Sequence, residues 1–258
     1  MKTQPGDADL WPVPVQVLAR LSEELRAQDV DATAMKAAFS RLDAVLGQPE
    51  ATLPYADAVD IIDRALALVA DPGSLGVRVG QRANVADWGV LGYAVICCST
   101  LGEAMALAPR YYRAAPGLTR LELDEVDGET ILTSSLPRPI GRAGEFSVEE
   151  DFSGILGVAA SLTGVAIPLR EVRFAHAAPA DRSVHDRCFN GPVVFGAERN
   201  QIVFAAEAMQ LPLRLASPSS KASATLLCDQ YLEKHPAESD LASRVRHLLV
   251  HTGLRARQ

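Results

Sequence analysis

The chain has 258 residues, of which 48% are hydrophobic and 22% are charged. These proportions are typical of a soluble globular protein with a sizeable core. The formal net charge of −7 argues against a nucleic-acid-binding surface over the chain as a whole, because such surfaces are basic. The first residues lack a signal-peptide pattern. The most apolar stretch, Val90–Cys98, is much shorter than the roughly 20 residues that a membrane helix needs.

The cysteines favour a reducing compartment. Cys97 and Cys98 are adjacent, and neighbouring cysteines rarely pair with each other; the other two are Cys188 and Cys228. No C-x-x-C motif is present, so neither a redox motif nor a disulfide framework is indicated. We therefore predict a cytoplasmic protein.

Apolar residues at helical spacing predict helices over the first third of the chain. The predicted segments are 14–27, 32–46, 56–69 and 75–82. Asp71-Pro72-Gly73 is expected to end the third of these helices, because a proline and a glycine together stop a helical pattern.

The stretch 87–113 is predicted to form two helices rather than one. Asp87 is a suitable N-cap for the first helix. Thr100 and Glu103 have the spacing of a capping box, which starts the second helix directly after Thr100. Pro109 lacks the N–H group that a helix interior uses, so we expect it to kink or end the second helix near residue 108.

Beyond residue 120 the pattern changes to strands. Asp127-Gly128 is a hairpin turn signal between two alternating segments. A further strand is predicted at 169–177, and a second hairpin is predicted from 193–195 and 201–205.

Helices are also predicted around and after these strands. Ser147 with Glu150 forms a second capping box, Gly164 is placed as a C-cap, and helices are expected at 222–234 and 239–250. The predicted fold class is α+β, with a helical N-terminal half, then an antiparallel sheet with packed helices, then C-terminal helices.

Two segments carry short motifs in a fixed order. The first segment reads GVLGY at 89–93, STLGEA at 99–104 and RYY at 110–112. The second reads FAH at 174–176, PVVF at 192–195 and LPL at 211–213. Together they resemble the N-terminal effector domain of AraC-family transcription regulators, in the branch often labelled arabinose-binding. Effectors vary within this branch, so the label does not identify the ligand.

The resemblance implies a sensor that binds a small-molecule effector, forms a homodimer and controls transcription. It implies an effector-binding and dimerisation domain at 1–216, followed at 217–258 by a helical linker and the start of a truncated DNA-binding domain. No recognition helix precedes Gln258, so we expect DNA contact only through a helix-turn-helix domain absent from this chain. A truncated product and a natural stand-alone sensor both remain open. The resemblance implies no membrane partner.

Six residues are candidates for an effector pocket, because pockets combine apolar walls with a few polar anchors. They are Trp88, Tyr93, Arg110, Tyr111, Tyr112 and His176. An arginine among aromatic rings can hold a carboxylate through two hydrogen bonds. The alternative is that these rings and the histidine pack in the core beside a surface arginine.

Two further pairs of residues also have alternative interpretations. Cys97 and Cys98 indicate either buried packing or a redox site, and packing is the commoner role of cysteines in an apolar helix. Gly89 and Gly92 indicate either close helix contact or room for a ligand.

The sequence does not favour catalysis. It contains no G-x-S-x-G, H-E-x-x-H or glycine-rich phosphate motif, so we predict that the chain is not an enzyme. His176, His185 and Cys188 match no metal-site spacing, and no cofactor is indicated. The alternative function is a stand-alone small-molecule-binding protein or enzyme without a role at DNA.

Overall fold

The elements of the fold were assigned on a computed structural model that describes residues 12–45, 51–112 and 117–234, without the side chains of 109–112 and 231–234. The helices are α1 (Gln16–Ala27), α2 (Ala32–Asp43), α3 (Tyr55–Leu66), α4 (Leu75–Gly80), α5 (Gly89–Ile96), α6 (Leu101–Tyr112), α7 (Arg142–Thr163), α8 (Ser183–Cys188) and α9 (Pro218–Lys234). The strands are β1 (Pro12–Pro14), β2 (Thr52–Pro54), β3 (Arg120–Val126), β4 (Glu129–Ser135), β5 (Leu169–Phe174), β6 (Val193–Phe195) and β7 (Asn200–Phe204).

The first three helices pack around an apolar core of their own. Leu21 of α1, Leu42 of α2 and Ile62 of α3 are fully buried in it. The short antiparallel pair β1–β2 closes one side. Tyr55 is also fully buried, and its hydroxyl donates to the Leu118 carbonyl oxygen at 3.0 Å, which ties this helical layer to the chain entering the main sheet.

The main sheet has the strand order β3-β4-β7-β5-β6. Asp127 and Gly128 have φ values of 53° and 80°, the left-handed conformation that a two-residue hairpin turn requires at both positions. The predicted β3–β4 hairpin is therefore confirmed, and so is the α+β class.

The second predicted hairpin is wrong. β6 pairs in parallel with β5, and β7 lies on the other side of β5, between β5 and β4. The physical reason is α8, which connects β5 to β6, because parallel neighbours need such a crossover whereas a hairpin turn joins antiparallel ones.

Helix α7 runs through the centre of the molecule. Its Phe146 packs in the core of the first three helices, and its Phe152 packs in a second core against the sheet. Gly164 caps its end with a φ of 78° and donates to the Ala160 carbonyl oxygen, as predicted. The predicted capping box at Ser147 is wrong: the helix begins five positions earlier, at Arg142, and the buried Ser147 hydroxyl donates back to the Ala143 carbonyl oxygen.

Asp87 does not cap α5. It closes a capping box with Asn84 at the start of a short 3-10 helix, Val85–Trp88, and α5 begins only after that helix. The prediction failed because Asn84 is a suitable cap three residues upstream and uses Asp87 as the reciprocal partner.

The start of α6 follows the prediction, whereas its end does not. The Thr100 hydroxyl accepts from the Glu103 N–H at 3.3 Å, and the Glu103 carboxylate accepts from the Ser99 N–H at 2.9 Å. The helix continues through Pro109 to Tyr112, so it does not end near residue 108. Pro109 removes one backbone donor, and the helix continues for three residues beyond it.

Helix α9 packs on α5. Ala224 and Cys228 of α9 are buried against Ala94 of α5, so α9 rests on the apolar stretch Val90–Cys98. The predicted helix at 239–250 lies outside the described residues. In the described part of the chain, no helix has the length and apolarity that crossing a membrane requires.

Candidate functional site

A cavity of about 610 Å³ lies between the N-terminal helices and the sheet. Its walls are mostly apolar, and they draw on α1, α5, α6, α7 and the β3–β4 hairpin. Representative lining residues are Val17, Leu91, Met105, Leu121, Leu132 and Ile155. Both the size and the apolar lining are typical of sites for small organic molecules.

Helix α7 contributes one whole stripe to the wall. Glu150, Gly154, Val158 and Leu162 follow one another at intervals of four residues, and all four line the cavity. Residues four apart lie above one another on one face of a helix, so the stripe follows directly from the sequence once the helix is known. The stripe is apolar along most of its length and ends at the carboxylate of Glu150.

A charged cluster forms the polar end of the cavity. Arg20 Nη1 donates to Asp87 Oδ2 at 2.6 Å, and Arg20 Nη2 donates to Glu150 Oε1 at 2.5 Å. The Arg20 side chain is only 12% exposed. Burial lowers the pKa of Arg20, but its ion pairs with Glu150 and Asp87 outweigh burial and hold the pKa above its ordinary value. Arg20 therefore stays charged and fixes both carboxylates.

Two polar atoms of α1 at this end are unsatisfied. Nε of Arg20 and Oε1 of Gln16 are buried and have no hydrogen-bond partner among the described residues. The two residues lie one helical turn apart, and both line the cavity. Buried polar atoms are nearly always paired, so this pair marks a polar patch that the described residues alone do not satisfy.

A third carboxylate, Asp151, lies beside Glu150 and also lines the cavity. It accepts hydrogen bonds from the hydroxyls of Thr119 and Ser134, the latter at 3.3 Å. These bonds hold α7 against the start of β3 and the end of β4. The polar end of the cavity is therefore acidic as well as fixed in position.

The structure places the predicted site residues in different regions. Trp88 is half-buried and lines the cavity. Tyr93 is 49% exposed and is not among the lining residues. Arg110, Tyr111 and Tyr112 have side chains outside the described residues; their backbone forms the end of α6, close in sequence to the lining residue Ala108. Their roles in binding stay predictions.

His176 lies in a separate buried cluster rather than along the cavity. Its Nε2 is 3.4 Å from Oε1 of Glu149, and Nε2 of the fully buried His185 is 2.8 Å from the same oxygen. The ring of Phe174 packs between the two histidines, with centroid distances of 5.1 Å and 5.9 Å. Within the described residues, no group of histidine, cysteine and acidic side chains has metal-binding geometry.

Replacing Glu149 with glutamine is expected to change how stability depends on pH. Burial raises the pKa of Glu149 above its ordinary value of 4.5, although both histidines lower it. A raised folded-state pKa contributes stability that is fully present below the unfolded pKa and is lost as pH rises through the folded one. The stability of the natural chain relative to Glu149→Gln should therefore fall above pH 4.5.

Urea unfolding at a series of pH values between about 4 and 8 measures this difference. The exposed Glu198→Gln change is the matched control, and its effect should stay constant across the series. A constant difference for Glu149→Gln as well would contradict the prediction.

Cysteine and glycine contacts in α5 and directly after it fit packing rather than chemistry. Cys98 is fully buried, its Sγ lies 3.4 Å from the Ala94 carbonyl oxygen, and burial raises the pKa of its thiol. A Cβ on Gly92 would come within 2.0 Å of the Val85 carbonyl oxygen, so this glycine allows close backbone contact. Gly89 instead supplies a φ of 54° where the 3-10 helix meets α5.

Sequence reasoning missed Gln16, Arg20 and Glu150 as site residues. The available signal was weak: Arg20 lies three residues after Val17 and directly before Leu21, so a charge lies within the apolar stripe of α1. Its partners lie 67 and 130 residues away, and no local pattern connects them.

Comparison with known proteins places the chain in a family. Residues 30–213 match the family described as the arabinose-binding domain of AraC transcription regulators, N-terminal. The chain belongs to this family. The match covers α2 to α8 and the whole main sheet, which agrees with the resemblance carried by the two sequence segments.

Relatives of this AraC-type domain include two bacterial regulators. The ornithine utilization regulator of Pseudomonas aeruginosa is 32% identical over 208 residues, which are 80% of this chain and 60% of that protein. An uncharacterized HTH-type transcriptional regulator of Mycobacterium tuberculosis is 25% identical over 247 residues, which are 92% of this chain and 70% of that protein. The chain thus spans about 60% of the length of the ornithine utilization regulator.

A solved structure shows the same fold. The transcriptional regulator CdpR from Pseudomonas aeruginosa superimposes with a TM-score of 0.57 at 15% identity, over 88% of this chain and 71% of that chain. The family and these relatives are transcription regulators rather than enzymes, which confirms the prediction that the chain is not an enzyme.

Proposed function

We propose that the chain is the effector-sensing and dimerisation region of an AraC-type transcription regulator, and that its cavity binds the effector. The observation that carries this proposal is the cavity itself: about 610 Å³, apolar along its walls and charged at one end. Membership of the arabinose-binding family supports it, because the family is described as a ligand-binding region of regulators.

The other parts of the proposal extend the resemblance to AraC-family regulators. The chain forms a homodimer in the cytoplasm, and DNA is read by a helix-turn-helix domain such as the one named in the mycobacterial relative. Helix α9 supports a link to such a domain, because it packs on α5, and α5 lines the cavity through Val90, Leu91 and Val95. Cys228 of α9 also lines the cavity, so a bound ligand can contact both α5 and α9.

Filling the cavity with a large side chain is expected to abolish effector binding. Ile155 lines the cavity from α7, so Ile155→Trp places an indole where the ligand lies. A compound that binds only the native state raises the melting temperature. A thermal-shift screen of small molecules on the natural chain should therefore find a stabilising compound that no longer stabilises Ile155→Trp.

Val194→Trp is the matched control, because Val194 is an exposed apolar residue of β6 that does not line the cavity. It should keep the full shift of the melting temperature. A compound that stabilises Ile155→Trp as strongly as the control would place its binding site elsewhere and contradict the proposal.

A further inference from the structure

Among the described residues, carboxylates outnumber cations in the lining of the cavity. Among the described lining residues, the charged side chains are Arg20, Asp87, Glu150 and Asp151, which are three carboxylates and one guanidinium. Most of the remaining lining is apolar, so interactions between these charges are screened less than they would be in water. The sign of a ligand's charge therefore has a large effect on its affinity.

Arg20 is poorly placed to receive an anion. Its two terminal nitrogens already donate to Asp87 and Glu150, at 2.6 Å and 2.5 Å. The carboxylate of Asp87 is fixed in position as well, because it also accepts a hydrogen bond from the Asn84 N–H at 3.0 Å. The Nε–H of Arg20 has no partner among the described residues, but an anion bound there would lie beside the carboxylates of Asp87 and Glu150, and this repulsion between like charges is unfavourable.

A cationic amine fits the same groups. An ammonium group offers three hydrogen-bond donors and no acceptor. The acceptors at this end are Oε1 of Gln16, which has no partner among the described residues, and the carboxylates of Asp87 and Glu150, and all three residues line the cavity. The apolar walls beyond them, which include Val17, Leu91 and Ile155, match a hydrocarbon body rather than a second polar group.

We propose that the effector of this cavity is an amine with an apolar body, its ammonium group bound at the Gln16–Asp87–Glu150 end. This inference rests on the proposed function, since it assigns a ligand class to the same cavity. It predicts selectivity by charge among molecules of equal length.

Three probes of equal chain length test the inference: n-octylamine, 1-octanol and octanoate. Binding is followed by the fluorescence of Trp88, which lines the cavity, in a Trp11→Phe background that removes the chain's other tryptophan. At neutral pH octylamine should bind about tenfold more tightly than octanol, and octanoate more weakly than octanol.

Removing one carboxylate should reduce the preference. Glu150→Gln keeps the shape of the side chain and should lower the ratio of octylamine affinity to octanol affinity severalfold, because one of the carboxylates that face the ammonium group is lost. The exposed Glu198→Gln has the same change of charge away from the cavity and should retain the full preference. If Glu150→Gln does not fold, Asp87→Asn is the second variant, with the same expected result.

The outcomes separate this inference from the proposed function. Binding of octanol with no preference for octylamine would overturn the amine assignment and leave the ligand cavity standing. Tightest binding of octanoate would overturn it in favour of an acidic effector. Failure of all three probes to bind would overturn both the amine assignment and the cavity as a site for apolar ligands.

Discussion

Replacing Arg20 with methionine is expected to destabilise the protein by about 3 kcal/mol. Arg20 neutralises the buried carboxylate of Glu150 and the half-buried one of Asp87, and methionine keeps the length of the side chain without its charge. Two carboxylates would then remain close together at the polar end of the cavity without their cation. Removing one partner of a buried ion pair has a much larger effect than removing an exposed one.

Arg64→Met provides the comparison. Arg64 pairs with Asp60 four residues before it, but both side chains are largely exposed, so its loss should change stability by less than about 0.5 kcal/mol. Urea unfolding measures both values. Adding Glu150→Gln to Arg20→Met should recover part of the lost stability, because it removes one of the two unbalanced charges. Equal effects of Arg20→Met and Arg64→Met would show that the cluster is not an important part of the folded state.

Local signals in the sequence predicted much of the fold. The turn at Asp127-Gly128, the helix start at Thr100 and the helix end at Gly164 all depend on contacts within four residues, and all three are present. The predicted N-cap at Asp87 and the predicted capping box at Ser147 were wrong, because such short motifs also occur inside helices and next to competing caps. Local signals of this kind predict reliably that a helix or strand is present, but they predict its first residue less reliably.

Non-local contacts account for what the sequence did not reveal. After α8, β6 pairs with the edge of β5 that β7 does not occupy. The amino-acid pattern of β6 alone does not show which edge of β5 it joins. The candidate site depends on Arg20 meeting Asp87 and Glu150 across separations of 67 and 130 residues. Trp88 lines the cavity, as large aromatic residues often do, whereas His176 packs in a different cluster beside Glu149.

Replacing Gly80 with alanine is expected to destabilise the protein by about 3 kcal/mol, because α4 and α7 cross there with their backbones in contact. A Cβ on Gly80 would lie 2.0 Å from the Ser153 hydroxyl, 2.4 Å from the Glu150 carbonyl oxygen and 2.8 Å from the Gly154 nitrogen. Two of these atoms belong to the backbone of α7, so the helix as a whole must move to make room. Glu150 would move with it, which couples this crossing to the polar end of the cavity.

Gly157→Ala is the matched control within α7 itself. A Cβ on Gly157 meets nothing within 4 Å, so alanine there should stabilise the protein by about 0.5–1 kcal/mol through its greater helix propensity. Thermal or urea unfolding compares the two variants. The same substitution is then expected to lower stability at Gly80 and to raise it at Gly157. The difference depends only on whether a second helix lies against the glycine. A stabilising effect of Gly80→Ala would show that α4 and α7 lie further apart than described, and that Glu150 is not fixed by their contact.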